Sequence, residues 1–556
     1  MTFNEIPYKR VELGEMKDKM AALKERFQAA VSGEEQFKVH QDLYVLKDHI
    51  LTERILSEIR SSINTKDEFY DAEESYYNAF EPEFAMELKE YGELMLSSPY
   101  RDYLEEKIGP VAFTNLELDR KAFSDETKEL RKEENDLSLA YDKLIASAAI
   151  PFEGEVYNLS LLRPHLTDVS REHRRKAWKA MEGYFTSVTD EIDDIYDRMV
   201  KNRTRQARLM GYEDYRELGY YRMRRNSYDR DMVAKFREEV KKYFVPLAVS
   251  INEKRRERIG VDELRIYDND VFFKNGNPGP IADPQGILKA GEEMYKELSP
   301  ETGEFFDFMM KNELFDVLGR KNKRAGGYME FIPDYKYPFI FANFNGTSSD
   351  VDVITHECGH AFQGYLTRNE EIREAIDLTM ETAEIHSMTM EYFTYGWMDR
   401  FFGERADDYL KMHLEDSIIF LPYGCMVDEF QHIVYEKPDM TPKQRKNVWR
   451  ELEEVYRPHI SYDGEGFFSE GGFWQKQGHI FHSPFYYIDY VLASVCAMQF
   501  KIRMDADFDS AWKDYLKLLR LSVKRPYEEE LRECGLKSPF ENGCIKQIAE
   551  SIYGRK

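Results

Sequence analysis

Residues 345–366 read NGTSSDVDVITHECGHAFQGYL, with His356 and His360 four apart and Glu357 directly after the first histidine. Ser and Asp ahead of an apolar run are N-cap candidates, so the stretch predicts a helix from about Asp350 to Arg368. Helix positions four apart lie one turn apart on the same face, and the two imidazoles can therefore be offered to one ion. Glu357 lies roughly 100° round from His356, near enough to meet a water at such an ion without taking a ligand position. Cys358 lies about 200° round and points away, which makes it a packing thiol and not a ligand.

The flanking text extends this pattern. Upstream, YMEFIP and YPFIFANF are rich in aromatic and β-branched residues and bounded by Gly326, Gly327, Pro333, Pro338 and Gly346, so two short strands should precede the helix. Downstream, DLTMETAEIHSMTMEYFTYGWM (377–398) reads as a second helix. A catalytic zinc takes three protein ligands and keeps one position open. Glu381, Glu384, His386 and Glu391 could each return the third. Glu381 and Glu384 share a face, as do Glu384 and Glu391, so periodicity does not choose among them. Eight of the twelve histidines fall between His356 and His482. The last two stand in GHIFHSPFYYIDYVLAS (478–494), which gathers His479, His482, Tyr486, Tyr487 and Tyr490 behind the glycine-rich DGEGFFSEGGFWQKQG. Gly464, Gly466, Gly471, Gly472 and Gly478 give that loop the backbone freedom to move over a site.

The remainder is dominated by amphipathic helical text. MAALKERFQAAV and LYVLKDHILTERILSEIRSSI, with breaks at SSPY and IGP, predict antiparallel helices before Pro151. PFEGEVYNLSLLRPHL switches to alternation behind a Gly154 turn and predicts a short strand or hairpin, and Ser170 to Met210 returns to helix. FFKNGNPGPIADP (272–284) holds two Gly and three Pro and marks a subdomain transition. The expected organisation is thus 1–150, an N-terminal helical region; 151–280, helical with a short β element; and 281–556, the region carrying the metal motif.

At 556 residues the chain exceeds the size at which a single core stops growing. Its 42% hydrophobic and 14% aromatic content excludes disorder. A formal charge of -26 repels phosphate backbones, and no basic stripe interleaved with aromatics offsets it, so a nucleic-acid partner is not expected. No apolar run is long enough to span a bilayer and the first residues lack the apolar core of a signal peptide, so no membrane partner and a cytoplasmic location are expected. Five cysteines without CxxC spacing read as reduced thiols in that same compartment.

HECGH followed by ETAEIHSMTMEYF, and later by GHIFHSPFYYIDYVLA, resembles the oligoendopeptidase F family, including the Pz-peptidases, within the thimet-oligopeptidase-like zinc peptidases. FEGEVYNLSLLRPHL and GGYMEFIPDYKYPFIFANFNG resemble that family's text as well, so the likeness covers most of the chain. It implies a mainly α fold: a large, two-lobed helical body with a deep substrate channel, the segment before Pro151 forming part of one wall, and a small β-sheet beside the HExxH helix. It also implies one Zn2+ per chain held by His356, His360 and Glu384, with Glu381 accepting a hydrogen bond from a ligand imidazole. From the later segment it assigns the donors to the oxyanion of peptide hydrolysis, matching best on His479, Tyr487 and Tyr490, with His482 and Tyr486 as neighbours.

Together these readings describe a zinc-dependent endopeptidase in which Glu357 is the general base toward a zinc-activated water. Its partners would be short unstructured oligopeptides, collagen-derived Gly-Pro-rich ones among them, with YPFIFANFNG offering a strand edge to the substrate. Two rivals stand beside it. One is a zinc carboxypeptidase on a similar helical scaffold, which needs a cation for the substrate carboxylate. The other is a non-catalytic metal-binding helical scaffold, which would close all four metal positions with Cys or His.

Overall fold

The computed structural model describes residues 1–553 apart from 321, 325, 465, 522 and 523. Five strands are set among its helices: β1 (Ile150–Phe152), β2 (Glu155–Tyr157), β3 (Phe315–Leu318), β4 (Tyr328–Ile332) and β5 (Tyr337–Phe344). The fold is mainly α, as the helical text predicts. Residues cluster into two compact units, each assembled from separate pieces of chain. One holds Met1–Arg120, Pro280–Gly403 and Phe500–Leu536, and the other Lys121–Gly279, Glu404–Gln499 and Lys537–Lys556. One unit's piece ends at Gly279 and the other's begins at Pro280, within the Pro/Gly stretch at 272–284. The text before Pro151 divides at Arg120 instead of forming one region, and residues 281–556 contribute to both units.

In the first unit, Leu13–Ala29, Gly33–Ile63 and Glu68–Leu96 are the expected N-terminal helices. Their apolar stripes bury Met16, Met20, Leu43, Phe84 and Tyr91 in a shared core. The breaks fall where the residues demand them: Gly109 sits at φ 114 and Pro110 opens the next helix. Both predicted strands before the motif are present as β4 and β5, paired antiparallel, and β3 joins β5 in parallel. The order β3-β5-β4 places β5 in the centre. YPFIFANFNG therefore has no free edge to offer a peptide. The edges are β3 and β4, and on β4 the outward groups can be named: Ile340 N–H turns away from it to Leu314 O at 2.9 Å, so alternation points the backbone groups of its partner Met329, and of Phe331, outward.

The histidine helix runs Ser349–Thr367, close to the predicted span. No side chain caps it in the usual way. Asp350 is instead buried and accepts from Asn345 N–H at 2.9 Å and Gly346 N–H at 2.8 Å, fixing the loop that leads out of β5. The following glutamate helix is shorter than its text suggested, Met380–Phe393. These two helices pack because Gly359 has no side chain: a Cβ there would stand 2.6 Å from Ser387 Cα and 2.9 Å from His386 O. Tyr295 donates to Ile354 O at 3.0 Å and Tyr515 to His386 O at 2.7 Å, so each helix is also tied to the surrounding core.

In the second unit, β1 and β2 form the predicted hairpin around Glu153 and Gly154, at φ 47 and 91. The alternating text beyond it is not strand. Asn158 accepts from Leu161 N–H at 2.8 Å and starts the helix Leu159–Leu166. The predicted long helix follows as Arg171–Leu209, capped by Ser170.

Candidate metal centre and histidine–tyrosine cluster

The histidine and glutamate helices bring His356, His360 and Glu384 together, with one ligand atom from each lying within 4.8 Å of the others. His356 Nε2 is 3.4 Å and His360 Nε2 3.7 Å from Glu384 Oε2. Ser387 Oγ reaches that same Glu384 oxygen at 3.2 Å and helps to aim it. Glu391, seven residues beyond Glu384 on the shared face, takes His356 from behind: its Oε1 is 2.5 Å from Nδ1. That bond turns Nε2 of His356 toward the cluster and makes the ring a stronger donor.

The charge balance fits a cation. Burial opposes a charge on both imidazoles, yet the Glu384 and Glu391 carboxylates, one at each nitrogen, raise His356 well above its ordinary value. His360, without a carboxylate so close, is held down to about 4 by burial. Burial also pushes Glu357 up to about 7, and the Glu384 and Glu391 charges add to this while His356 opposes it. Three carboxylates thus crowd two imidazoles in a desolvated pocket, and a divalent ion would neutralise them. Two ring nitrogens and one carboxylate oxygen are the donor set of a hydrolytic zinc site with an open position.

Other named residues have different surroundings. Cys358 is fully buried on the far side of the helix as a packing thiol. His386 is buried with neither ring nitrogen hydrogen-bonded among the described residues, and burial holds it down to about 3, so it packs as a neutral ring. Glu381 is buried near the Glu530 carboxylate, which burial and the Glu381 charge together push up. The carboxylate seen on a ligand-side imidazole is Glu391, which the sequence offered only as one of four candidates for the third ligand.

In the second unit, His479, Tyr486, Tyr487 and Tyr490 form one ring cluster. His479 lies 5.8, 5.1 and 5.8 Å from the three tyrosines in that order, by ring centroids. Gln477 organises it. Its Oε1 accepts from Tyr423 O–H at 2.7 Å, and its Nε2 stands 2.9 Å from His479 Nδ1. With the Gln477 amide nitrogen facing it, Nδ1 is the acceptor and Nε2 of His479 carries the proton. Burial pushes the Tyr487 hydroxyl up, so it stays a neutral donor. His482 is not part of the cluster: its Nε2 pairs with Asp142 Oδ1 at 2.8 Å and its ring sits edge-on to Tyr141. Two of the loop glycines serve close packing. A Cβ on Gly471 would stand 2.1 Å from Lys446 O, and one on Gly472 2.4 Å from the Phe467 ring.

The sequence model of peptidase family M3 matches residues 165–276 and 301–550, and the model of the peptidase M3 N-terminal domain matches 3–123. The chain belongs to peptidase family M3. A solved structure of PZ peptidase A with an inhibitor superposes with a TM-score of 0.96 at 44% identity, covering 99% of this chain and 98% of that one. Among curated proteins, the group B oligopeptidase PepB of Streptococcus agalactiae is 22% identical over 51% of this chain and 47% of its own length. An oligoendopeptidase F homolog of Lactococcus lactis is 21% identical over 50% of this chain and 43% of its own. The chain thus spans less than half the length of the curated relatives it matches. The M3 models cover both the histidine and glutamate helices and the ring cluster. Among the described residues of this M3 chain, no helix is long and apolar enough to cross a membrane.

Proposed function

We propose that this chain is a zinc-dependent endopeptidase that hydrolyses internal bonds of short, unstructured oligopeptides. The observation that carries the reading is the convergence of His356, His360 and Glu384 within 4.8 Å, with Glu391 behind His356. Zn2+ bound there supplies a Lewis acid for the peptide carbonyl and acidifies water. His356 and His360 would hold it as neutral rings together with the Glu384 carboxylate, and Glu391 keeps the first of them in the required tautomer. Glu357, with a pKa near that of a base working at neutral pH, takes the proton of the attacking water and returns it to the leaving amine.

The oxyanion donors proposed are His479 through its Nε2–H, with Tyr487 and Tyr490. Gln477 supports the first assignment, because it fixes the His479 tautomer. A peptide laid along β4 would find outward N–H and C=O groups on Met329 and Phe331, which bind backbone with little demand on side chains. Collagen-derived Gly-Pro-rich peptides belong to the substrate class to be tried. The five cysteines are buried as free thiols, which supports a reducing, cytoplasmic compartment.

The test measures bound zinc and cleavage of an end-blocked peptide by wild type and Glu357→Gln. Internal cleavage lost in a variant that keeps its zinc supports the mechanism. Equal activity in both removes Glu357 as the base, and cleavage only of peptides with a free C-terminus favours the carboxypeptidase.

A further inference from the structure

We propose that Arg225 and Gln431 are positioning residues that clamp the turn at Phe485 and thereby aim Tyr487 and Tyr490. The inference rests on the peptidase reading and extends it to residues distant in sequence from every motif.

Phe485 sits at φ 69, a left-handed backbone conformation that a residue with a Cβ adopts only when its surroundings impose it. Here all three handles are held. Its N–H donates to Gln431 Oε1 at 3.0 Å. Its carbonyl accepts from the Arg225 guanidinium, and that same Nη2 reaches Asp489 Oδ1 at 2.9 Å. Its ring is fully buried in a space that Gly219 leaves open, since a Cβ there would stand 2.6 Å from it. One guanidinium therefore spans the segment from Phe485 to Asp489, with Tyr487 between its two attachment points and Tyr490 next in line. Tyr228 O–H also donates to Asp489 at 3.2 Å, and the Tyr220 ring lies 4.2 Å beneath the Arg225 charge.

A buried ion pair of this kind is weak evidence of stabilisation, since apolar residues of similar volume often serve stability as well. What apolar residues cannot do is hold a strained carbonyl and a helix carboxylate at one fixed separation. The two N–H groups of Nη2, held in the guanidinium plane, do that, so the geometry points to aim as the role of the pair.

The test separates aim from folding. Arg225→Met alone strands the Asp489 charge, whereas Arg225→Met with Asp489→Leu removes both charges and should restore Tm toward the wild type. On an end-blocked peptide, that folded double variant is expected to lose roughly tenfold or more in kcat, as a displaced oxyanion donor would, with KM and zinc content near wild type. Adding Tyr490→Phe or Tyr487→Phe to it should then cost much less than in the wild type, because the donors are already misplaced. Gln431→Met, which leaves no charge behind, is the second variant and decides alone if the double variant does not fold. Wild-type kcat in a folded variant, or a loss that adds in full to the tyrosine substitutions, overturns the proposal and leaves the peptidase reading standing. Absence of cleavage by the zinc-loaded wild type sinks both.

Discussion

Glu391 offers the sharpest quantitative test of the metal centre. Its Oε1 stands 2.5 Å from His356 Nδ1, a hydrogen bond to a full negative charge. Bonds to charged groups contribute about 1.5–3 kcal/mol and neutral ones about 0.5–1.5. Glu391→Gln keeps an acceptor but loses the charge, a difference of roughly 1 kcal/mol, or about fivefold in zinc affinity. Glu391→Leu deletes the bond and releases the ring, and the full 1.5–3 kcal/mol becomes roughly 10- to 100-fold, the usual cost of losing an outer partner of a metal ligand. Competition against a chelator of known affinity measures both constants, and excess zinc should restore activity to each variant. A graded loss, leucine worse than glutamine, is the expected result. Zinc affinity equal to wild type in the leucine variant would refute the idea that Glu391 tunes His356.

Gly359→Ala sets a methyl against the Ser387 backbone 2.6 Å away, so it should cost about 1–3 kcal/mol in unfolding and weaken zinc binding by moving Glu384, both read from denaturant titration and chelator competition. Stripping the metal with a chelator should lower Tm reversibly, and zinc at about 1,000 times its Kd should return about 4 kcal/mol; an unchanged Tm would place the ion elsewhere than between the two helices. Gln477→Leu frees the His479 tautomer and should lower kcat by roughly tenfold or more with little change in KM, whereas a changed KM and constant kcat would assign Gln477 to substrate binding. Glu330 on β4 is pushed up to about 7, by burial first and then by the Glu58 charge. Its folded pKa lies above the unfolded one, so stability falls as pH rises from the ordinary carboxylate range through about 7; Glu330→Gln should flatten that slope in Tm against pH, and an unaltered slope counts against the shift.

Some of this protein was legible from residue order alone. Breakers and a 3.6-residue period are local, so the helix bearing His356 and His360 and the break at Gly109-Pro110 could be read without any neighbour in view. The i,i+4 spacing that puts both imidazoles on one face is likewise a property of a single helix. The missed β3 strand, FDVL, is only four residues long, too short for a period to show; it exists because β5 offers it an edge.

What tertiary structure decided is every relation between elements. Glu381, Glu384 and Glu391 are equivalent to a periodicity argument. Their different places, one beside Glu530, one facing both imidazoles and one behind His356, follow from how the glutamate helix is rotated against the histidine helix where Gly359 admits it. The central place of β5 depends on strands on both sides, and the turning of His482 toward Asp142 depends on a helix 340 residues earlier. Arg225 lies 260 residues before Phe485 and carries no motif at all. Period and spacing describe which face of an element a side chain occupies; only packing decides what that face meets.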